Sequence, residues 1–380
     1  MDANTAVSAA AKIARDLLAP AAAVHDKEGT FSTEAVAALA SSGLLGAHLP
    51  EAVGGGGLGP RAFSAIAATL AEADPSVAMV YMMHVCGSLV AAAGTSAAAQ
   101  RATRDMAAGK LTTLAFSEKG SRSHFWAPVS KAVRDGAGVR LSAKKSWVTS
   151  AGQADTYVVA TLAADGKGPT DSTLYLVTKD ASGLRVDAPW DGMGLRANAS
   201  SPMTLESVQL SDDMRLTDEA GGFKAMMEIV LPWFNLGSAS VSLGIARAAT
   251  AATATHLKTS HFEHMDGVSL GEALPNLRAT LAKMQIETDA LAAFISDVCT
   301  HLETPGPATM LRVLESKATA GDVAIRVTSQ AMHACGGAAF SRHTGVERFF
   351  RDAHSGAVMA PTVDVLHDFI GKALLGIPLF

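Results

Sequence analysis

The chain has 380 residues, 48% of them hydrophobic and 18% charged, with a formal net charge of −5. That apolar content is enough for a large core and excludes a disordered polyelectrolyte. The small negative charge and the scattered Lys and Arg residues leave neither the electrostatic footprint of a nucleic-acid binder nor a basic membrane patch. The three cysteines, Cys86, Cys299 and Cys335, have neither disulfide-like nor metal-like spacing, which fits a reducing compartment. Residues 1–25 carry Asp2 and Asp16 and lack a continuous apolar run behind a basic start, so they do not read as a secretory signal. The apolar runs around Val77–Val85 and Leu89–Ala93 read as too short or too interrupted to span a bilayer. The expectation is a cytoplasmic protein that engages neither nucleic acid nor membrane.

Up to about residue 113 the apolar positions recur at three- and four-residue steps, in Ala9–Leu18, Ala35–Leu45, Phe63–Ala73 and Val77–Ala93, and predict helices. Pro50 and the run Gly54–Gly57 interrupt them. Between about 114 and 217 the texture becomes β-branched and alternating, in Val139–Leu141, Ser146–Thr149, Tyr157–Thr161, Ser172–Thr178 and Met203–Leu210. Short strands with short connections predict a compact antiparallel barrel or sandwich. From about 218 onward long helices return, over roughly 220–260, 275–302, 308–335 and 360–376. The expected fold is α+β but mainly α: an N-terminal helical domain (1–113), a small central β-barrel domain (114–217) and a C-terminal four-helix bundle (218–380).

Gly54, Gly56 and Gly59 fit the G-x-G-x-x-G spacing, but dinucleotide binding needs a strand before it and a helix N-terminus after it. Here a helical segment and Leu49-Pro50 come first and Pro60 follows, so a loop between helices is the better reading. His256, His261, Glu263 and His264 are close in sequence without a recognised ligand spacing, and a solvated loop is favoured over a metal site. No G-x-S-x-G elbow points to a hydrolase.

Several segments in order along the chain resemble the acyl-CoA dehydrogenase superfamily. Ser42-Gly43-Leu44-Leu45 followed by Leu49-Pro50-Glu51 and the glycine run is similar to its N-terminal signature. Ala115-Phe116-Ser117-Glu118-Lys119-Gly120-Ser121-Arg122-Ser123 resembles its "LTEPGAGS" flavin segment. Leu141 to Ser150, with Lys145, Trp147 and Thr149, resembles "LNGxKxWITN". Gly192-Met193-Gly194-Leu195-Arg196 resembles "GMGxR", and Gly336-Gly337, Val346-Glu347-Arg348 and Arg351-Asp352-Ala353 resemble the C-terminal "GGxG…veR…RDA". The resemblance covers almost the whole chain and implies an FAD enzyme, tetrameric, with an acyl-CoA or related small-molecule substrate and an electron-transfer or flavin-reductase partner. It implies Phe116, Ser117, Ser123, Trp147 and Thr149 around the flavin, with Gly336, Gly337 and Thr362 towards the adenosine end of an FAD shared with a neighbouring subunit. An isoalloxazine needs an apolar wall and donors at its polar edge, which Trp147 and the hydroxyls of Thr149 and Ser117 can supply, with Ser123 reaching the pyrophosphate. The family's cross-subunit arginine is not matched: Thr259 stands there, with Lys258 and His261 near it.

The catalytic glutamate of the family is missing as well. Its usual position, after "RDA", is Ala360 in Val358-Met359-Ala360-Pro361-Thr362; the alternative, on the first long C-terminal helix, is Phe234. Neither accepts a proton. Three readings stay open: oxidation with another base, for which His84 is the candidate because imidazole titrates in the right range; a flavin-dependent monooxygenase, in which His124 faces flavin or substrate; and a structural subunit completing a partner's FAD site. A histidine on an apolar helix is more often a satisfied core residue. All three readings share one scaffold, so fold does not choose among them. No metal is expected.

Overall fold

The computed structural model describes residues 1–122 and 124–379. Ser123, one of the expected cofactor contacts, lies outside them. The N-terminal part holds helices α1 (Ala3–Ile13), α2 (Ala19–Glu28), α3 (Thr33–Ser41), α4 (Pro60–Ala73), α5 (Pro75–Ala93) and α6 (Ala97–Ala107). Local chemistry starts them: the Asp2 carboxylate accepts from the Thr5 amide, Asp74 from those of Ser76 and Val77, and Ser96 from that of Ala99, each pairing an orphan N–H of a first turn. Pro60 and Pro75 sit at helix starts, where the missing N–H costs nothing. The Gly54–Gly59 segment is the loop expected of it, between a short 3-10 turn and α4.

The strands are β1 (Thr112–Ala115), β2 (Val133–Asp135), β3 (Gly138–Val148), β4 (Thr156–Leu162), β5 (Ser172–Thr178), β6 (Leu184–Val186) and β7 (Ser201–Ser211). They form two sheets, ordered β1-β4-β5 and β2-β3-β7-β6. Two differences from the expectation stand out. The pair β1–β4 is parallel, because a long excursion separates the two strands in sequence and brings the chain back in the same direction. The two segments expected at Val139 and Ser146 are one strand, β3, whose register against β7 shifts between Lys145 and Val148. That bulge re-aims the residues inside it.

The C-terminal part begins with α7 (Gly222–Ala225) and a π turn leading into α8 (Leu231–Thr259). A small hairpin of β8 (His261–Phe262) and β9 (Val268–Ser269) and the short α9 (Leu270–Ala273) follow, then α10 (Pro275–Glu303), α11 (Thr309–Phe340), α12 (Val346–Val358) and α13 (Val363–Leu375). Helix α12 is not among the helices expected from the sequence. It is amphipathic: Val346, Phe349, Asp352, Ala353 and Gly356 are buried. Gly336, at φ 52° and ψ −131°, kinks α11, a backbone shape that glycine adopts without a Cβ penalty.

Helix α8 is the core post, packed against α4, α5, α10, α11 and α12. Small side chains allow this: a Cβ on Gly244 would sit 2.3 Å from the Ala68 carbonyl oxygen of α4. The two apolar runs at 77–93 are in fact one continuous 19-residue helix, α5, with the length and hydropathy of a membrane span; so is the segment Gly222–Thr259. Both are largely buried inside the protein, 78% and 83% of the apolar window respectively, so their apolar character is already used by the core.

Candidate functional site

A cavity of about 750 Å³ opens where the β region meets α5, α8 and α12. Strand β1 runs out into Phe116 and Ser117, and the Ser146 amide donates to the Ser117 carbonyl at 2.9 Å, so this segment lies along the end of β3. A buried ion pair fixes the contact. Lys145 Nζ is 2.5 Å from Glu118 Oε1, with the two side chains 0% and 4% exposed. Lys145 also donates to the Ala160 carbonyl at 2.5 Å, while Glu118 Oε2 accepts from the amides of Val129 and Ser130, each at 2.7 Å. Burial alone would raise the Glu118 carboxyl, but the Lys145 ammonium and the hydrogen bonds from Lys145 and Ser130 hold it below its ordinary value.

Next along β3 comes the bulge. Trp147 has φ +54°, a left-handed conformation that costs a bulky residue roughly 1–2 kcal/mol. The indole is 66% exposed and lines the cavity. An aromatic face held open at the expense of backbone strain is a platform for a flat ring. Trp190 meets it edge-on at 5.8 Å and donates its indole N–H to the Leu195 carbonyl at 3.0 Å. Thr149 also lines the cavity, its hydroxyl 3.1 Å from that of Ser200. Four sequence-predicted residues, Phe116, Ser117, Trp147 and Thr149, are therefore brought together on one wall.

The opposite lining comes from the helices. Met79 and Met83 of α5 and Val230 and Phe234 at the start of α8 make an apolar side, and α12 contributes Arg351, His354, Ser355 and Val358, followed by Met359 and Ala360. Sequence reading missed His354; its signal was the helical spacing 351, 354, 355, 358, which puts all four on one face. Helix α12 is clamped. Arg351 Nη1 and Nη2 lie 2.9 and 2.5 Å from the Asp26 carboxylate, and Asp352 Oδ1 accepts from the Leu195 amide at 2.7 Å. Burial pushes the Asp352 carboxyl up to about 7, against that hydrogen bond. The turn after α12 is held by Lys317, fully buried, whose Nζ donates to the carbonyls of Gly356, Met359 and Pro361 at 3.0, 3.0 and 2.7 Å. Burial pushes that amine down to about 7.

The two histidines expected to act are elsewhere. His84 is fully buried: one ring nitrogen, Nε2, donates to the Leu45 carbonyl at 2.8 Å, and Nδ1 accepts from the Thr112 amide at 3.1 Å. Burial pushes it down to about 4, although the Leu45 carbonyl acts the other way. Both nitrogens are engaged away from the cavity, and the ring cross-links α5 to the start of β1. His124 is exposed, its ring 5.0 Å from that of Trp126, and it does not line the cavity. Gly336, Gly337 and Thr362 do not line it either. Thr362 caps α13, its hydroxyl accepting from the Val365 amide.

The N-terminal, middle and C-terminal domains of the acyl-CoA dehydrogenase family match residues 2–110, 113–208 and 220–375. The probable acyl-CoA dehydrogenase FadE25 of Mycobacterium tuberculosis is 27% identical over 376 residues, 97% of this chain and 94% of that protein. The short-chain-specific acyl-CoA dehydrogenase of Megasphaera elsdenii is 27% identical over 378 residues, 96% of each. The butyryl-CoA dehydrogenase structure from Megasphaera elsdenii superimposes with a TM-score of 0.92 at 24% identity, over 99% of this chain and 100% of that one. The lining residues fit FAD: Trp147 would offer a ring face, Phe116 an apolar flank, and the hydroxyls of Ser117 and Thr149 could meet a polar edge. The chain belongs to the acyl-CoA dehydrogenase family and is an FAD-dependent oxidoreductase.

Proposed function

We infer that this chain oxidises an acyl thioester or a related small carbonyl compound with a proton acceptor other than glutamate. One observation carries the reading: the wall with Trp147 and Thr149 is kept, while no carboxylate lines the cavity among the described residues, and Ala360 and Phe234 stand at the positions that resemble the family's glutamate sites. Bound FAD supplies a two-electron oxidant. The chain's own residues do the rest. Met79, Met83, Val230 and Phe234 give an apolar side that takes an alkyl or acyl portion and keeps water out. The Thr149 and Ser117 hydroxyls orient, and the clamp on α12 fixes the facing wall. Self-association to a tetramer and an electron-transfer or flavin-reductase partner go with this reading.

The test is anaerobic mixing of the purified FAD-loaded protein with a panel of acyl-CoAs of differing chain length. Bleaching of the flavin absorbance by at least one of them is expected. Absence of bleaching, with substrate-dependent oxygen use once the flavin is reduced chemically, would replace dehydrogenation by oxygenation.

A further inference from the structure

The geometry points to His354 as the general base that takes the place of the family's glutamate. This rests on the reading of the chain as an oxidant of carbonyl-activated substrates. Among the described residues that line the cavity, the titratable side chains are Arg122, Arg351 and His354. Arginine stays protonated at any working pH, and Arg351 is in addition engaged by Asp26 and, at 3.3 Å, by Glu347. Imidazole is the side chain of the three that can take up a proton near neutral pH.

The tautomer is set by the helix itself. His354 Nδ1 lies 2.8 Å from the Phe350 carbonyl oxygen, one turn back along α12. A carbonyl only accepts, so Nδ1 carries the hydrogen and the neutral ring keeps its lone pair on Nε2. Nε2 has no hydrogen-bond partner among the described residues. The Phe350 ring packs edge-on against the imidazole, with centroids 4.8 Å apart, and restricts its rotation. An oriented ring with one nitrogen tied back and the other free on a cavity wall is the arrangement a general base requires.

The step is a complete proton transfer. The bond from the α-carbon to hydrogen breaks, and its electron pair passes onto the carbonyl oxygen of the thioester as an enolate. A new N–H bond forms at Nε2, and the imidazolium balances the enolate charge. Nδ1–H stays on the Phe350 carbonyl throughout.

The experiment separates proton abstraction from oxidation. The FAD-loaded protein is incubated in D2O with 3-thiaoctanoyl-CoA, whose α-carbon is acidic and whose sulfur at the β-position prevents dehydrogenation. Deuterium entering the α-carbon is followed by mass spectrometry. The wild-type protein is expected to catalyse the exchange, and His354→Gln to lose about a hundred- to ten-thousand-fold of it with its FAD content unchanged. Alkaline-free labelling of His354 by diethyl pyrocarbonate, located by peptide mass spectrometry, is expected to slow when the analogue is present. Exchange by His354→Gln at the wild-type rate overturns the assignment and leaves the proposed function standing. No exchange by the wild-type protein overturns the proposed function and the base with it. Should His354→Gln lose FAD, His354→Ala with added imidazole decides: restored exchange supports the base, and no restoration overturns it.

Discussion

Replacing Lys145 by Met tests what holds together the cavity wall of Phe116, Ser117, Trp147 and Thr149. The Lys145 and Glu118 side chains are 0% and 4% exposed, so the substitution leaves a carboxylate in the interior without its counter-charge. Breaking a buried pair from one side costs about 3–5 kcal/mol. The Val129 and Ser130 amides still hold Glu118, which argues for the lower part of that range. The Ala160 carbonyl, however, loses its Lys145 donor, worth about 1 kcal/mol or more when buried. A loss of about 4 kcal/mol is expected, read as a lower urea midpoint by circular dichroism, together with loss of FAD, because the pair joins the Phe116–Ser117 segment to Trp147. The double substitution Glu118→Gln/Lys145→Met removes both charges and is expected to recover at least about half of the loss. The pH dependence has a definite sign. Glu118 is held below its ordinary value in the folded state, so its contribution is present above the ordinary glutamate range and fades as pH falls through the folded value. A Lys145→Met protein within about 1 kcal/mol of wild type, with FAD retained, would refute the pair as the fastening of this wall.

Two further outcomes follow from the same geometry. His84→Leu strands the Leu45 carbonyl and the Thr112 amide in a buried site, costing about 1–3 kcal/mol for each, with FAD content and flavin reduction preserved. Since His84 falls from 6.5 to about 4 on folding, its contribution to stability is complete above pH 6.5 and is lost as pH falls through the folded value. Thermal melts of the variant should therefore be flatter across that window, and an unchanged slope would show that another group titrates there. Trp147→Ala should leave the melting of FAD-free protein nearly untouched, because the indole is 66% exposed, and weaken FAD binding by about tenfold, as loss of an aromatic stack of roughly 1.5 kcal/mol requires. Equal FAD affinity by equilibrium dialysis would remove Trp147 from the platform.

The helical N-terminal region, the change to strands and the return to long helices were legible because apolar spacing follows the 3.6 and 2.0 periods wherever one face is buried. Helix α12 is not among the helices expected from the sequence, because its buried face, Val346, Phe349 and Ala353, is short. The parallel pairing of β1 with β4 had no local signal, since strand direction depends on where the chain returns and not on residue type. Of the site, the residues of two contiguous motifs line one cavity around Lys145 and Trp147. The histidines were not legible. His124 adjoins a motif in sequence but is exposed and does not line the cavity, while His84 lies within α5, buried with both ring nitrogens hydrogen-bonded. His354 belongs to the cavity through a helical face that sequence order alone does not display.

The turn that carries Ala360, the position that resembles the family's glutamate site, is firmly held. Ala360 sits in a turn whose neighbours, Gly356, Met359 and Pro361, all give their carbonyls to the buried Lys317 amine. None of those bonds involves the side chain at 360, so the turn keeps its position whatever that side chain is. Upstream on the same helix, Arg351 is tied to Asp26 and to the Met193 carbonyl, and Asp352 to the Leu195 amide. A Cβ on Gly194 would lie 2.7 Å from the Arg351 carbonyl oxygen, which shows how closely the loop and α12 meet. A helix fixed from both ends presents the residues between with little freedom. The face bearing His354 and the turn bearing Ala360 are held by one continuous set of contacts, so a base on that face would require no rebuilding of the scaffold around the cavity.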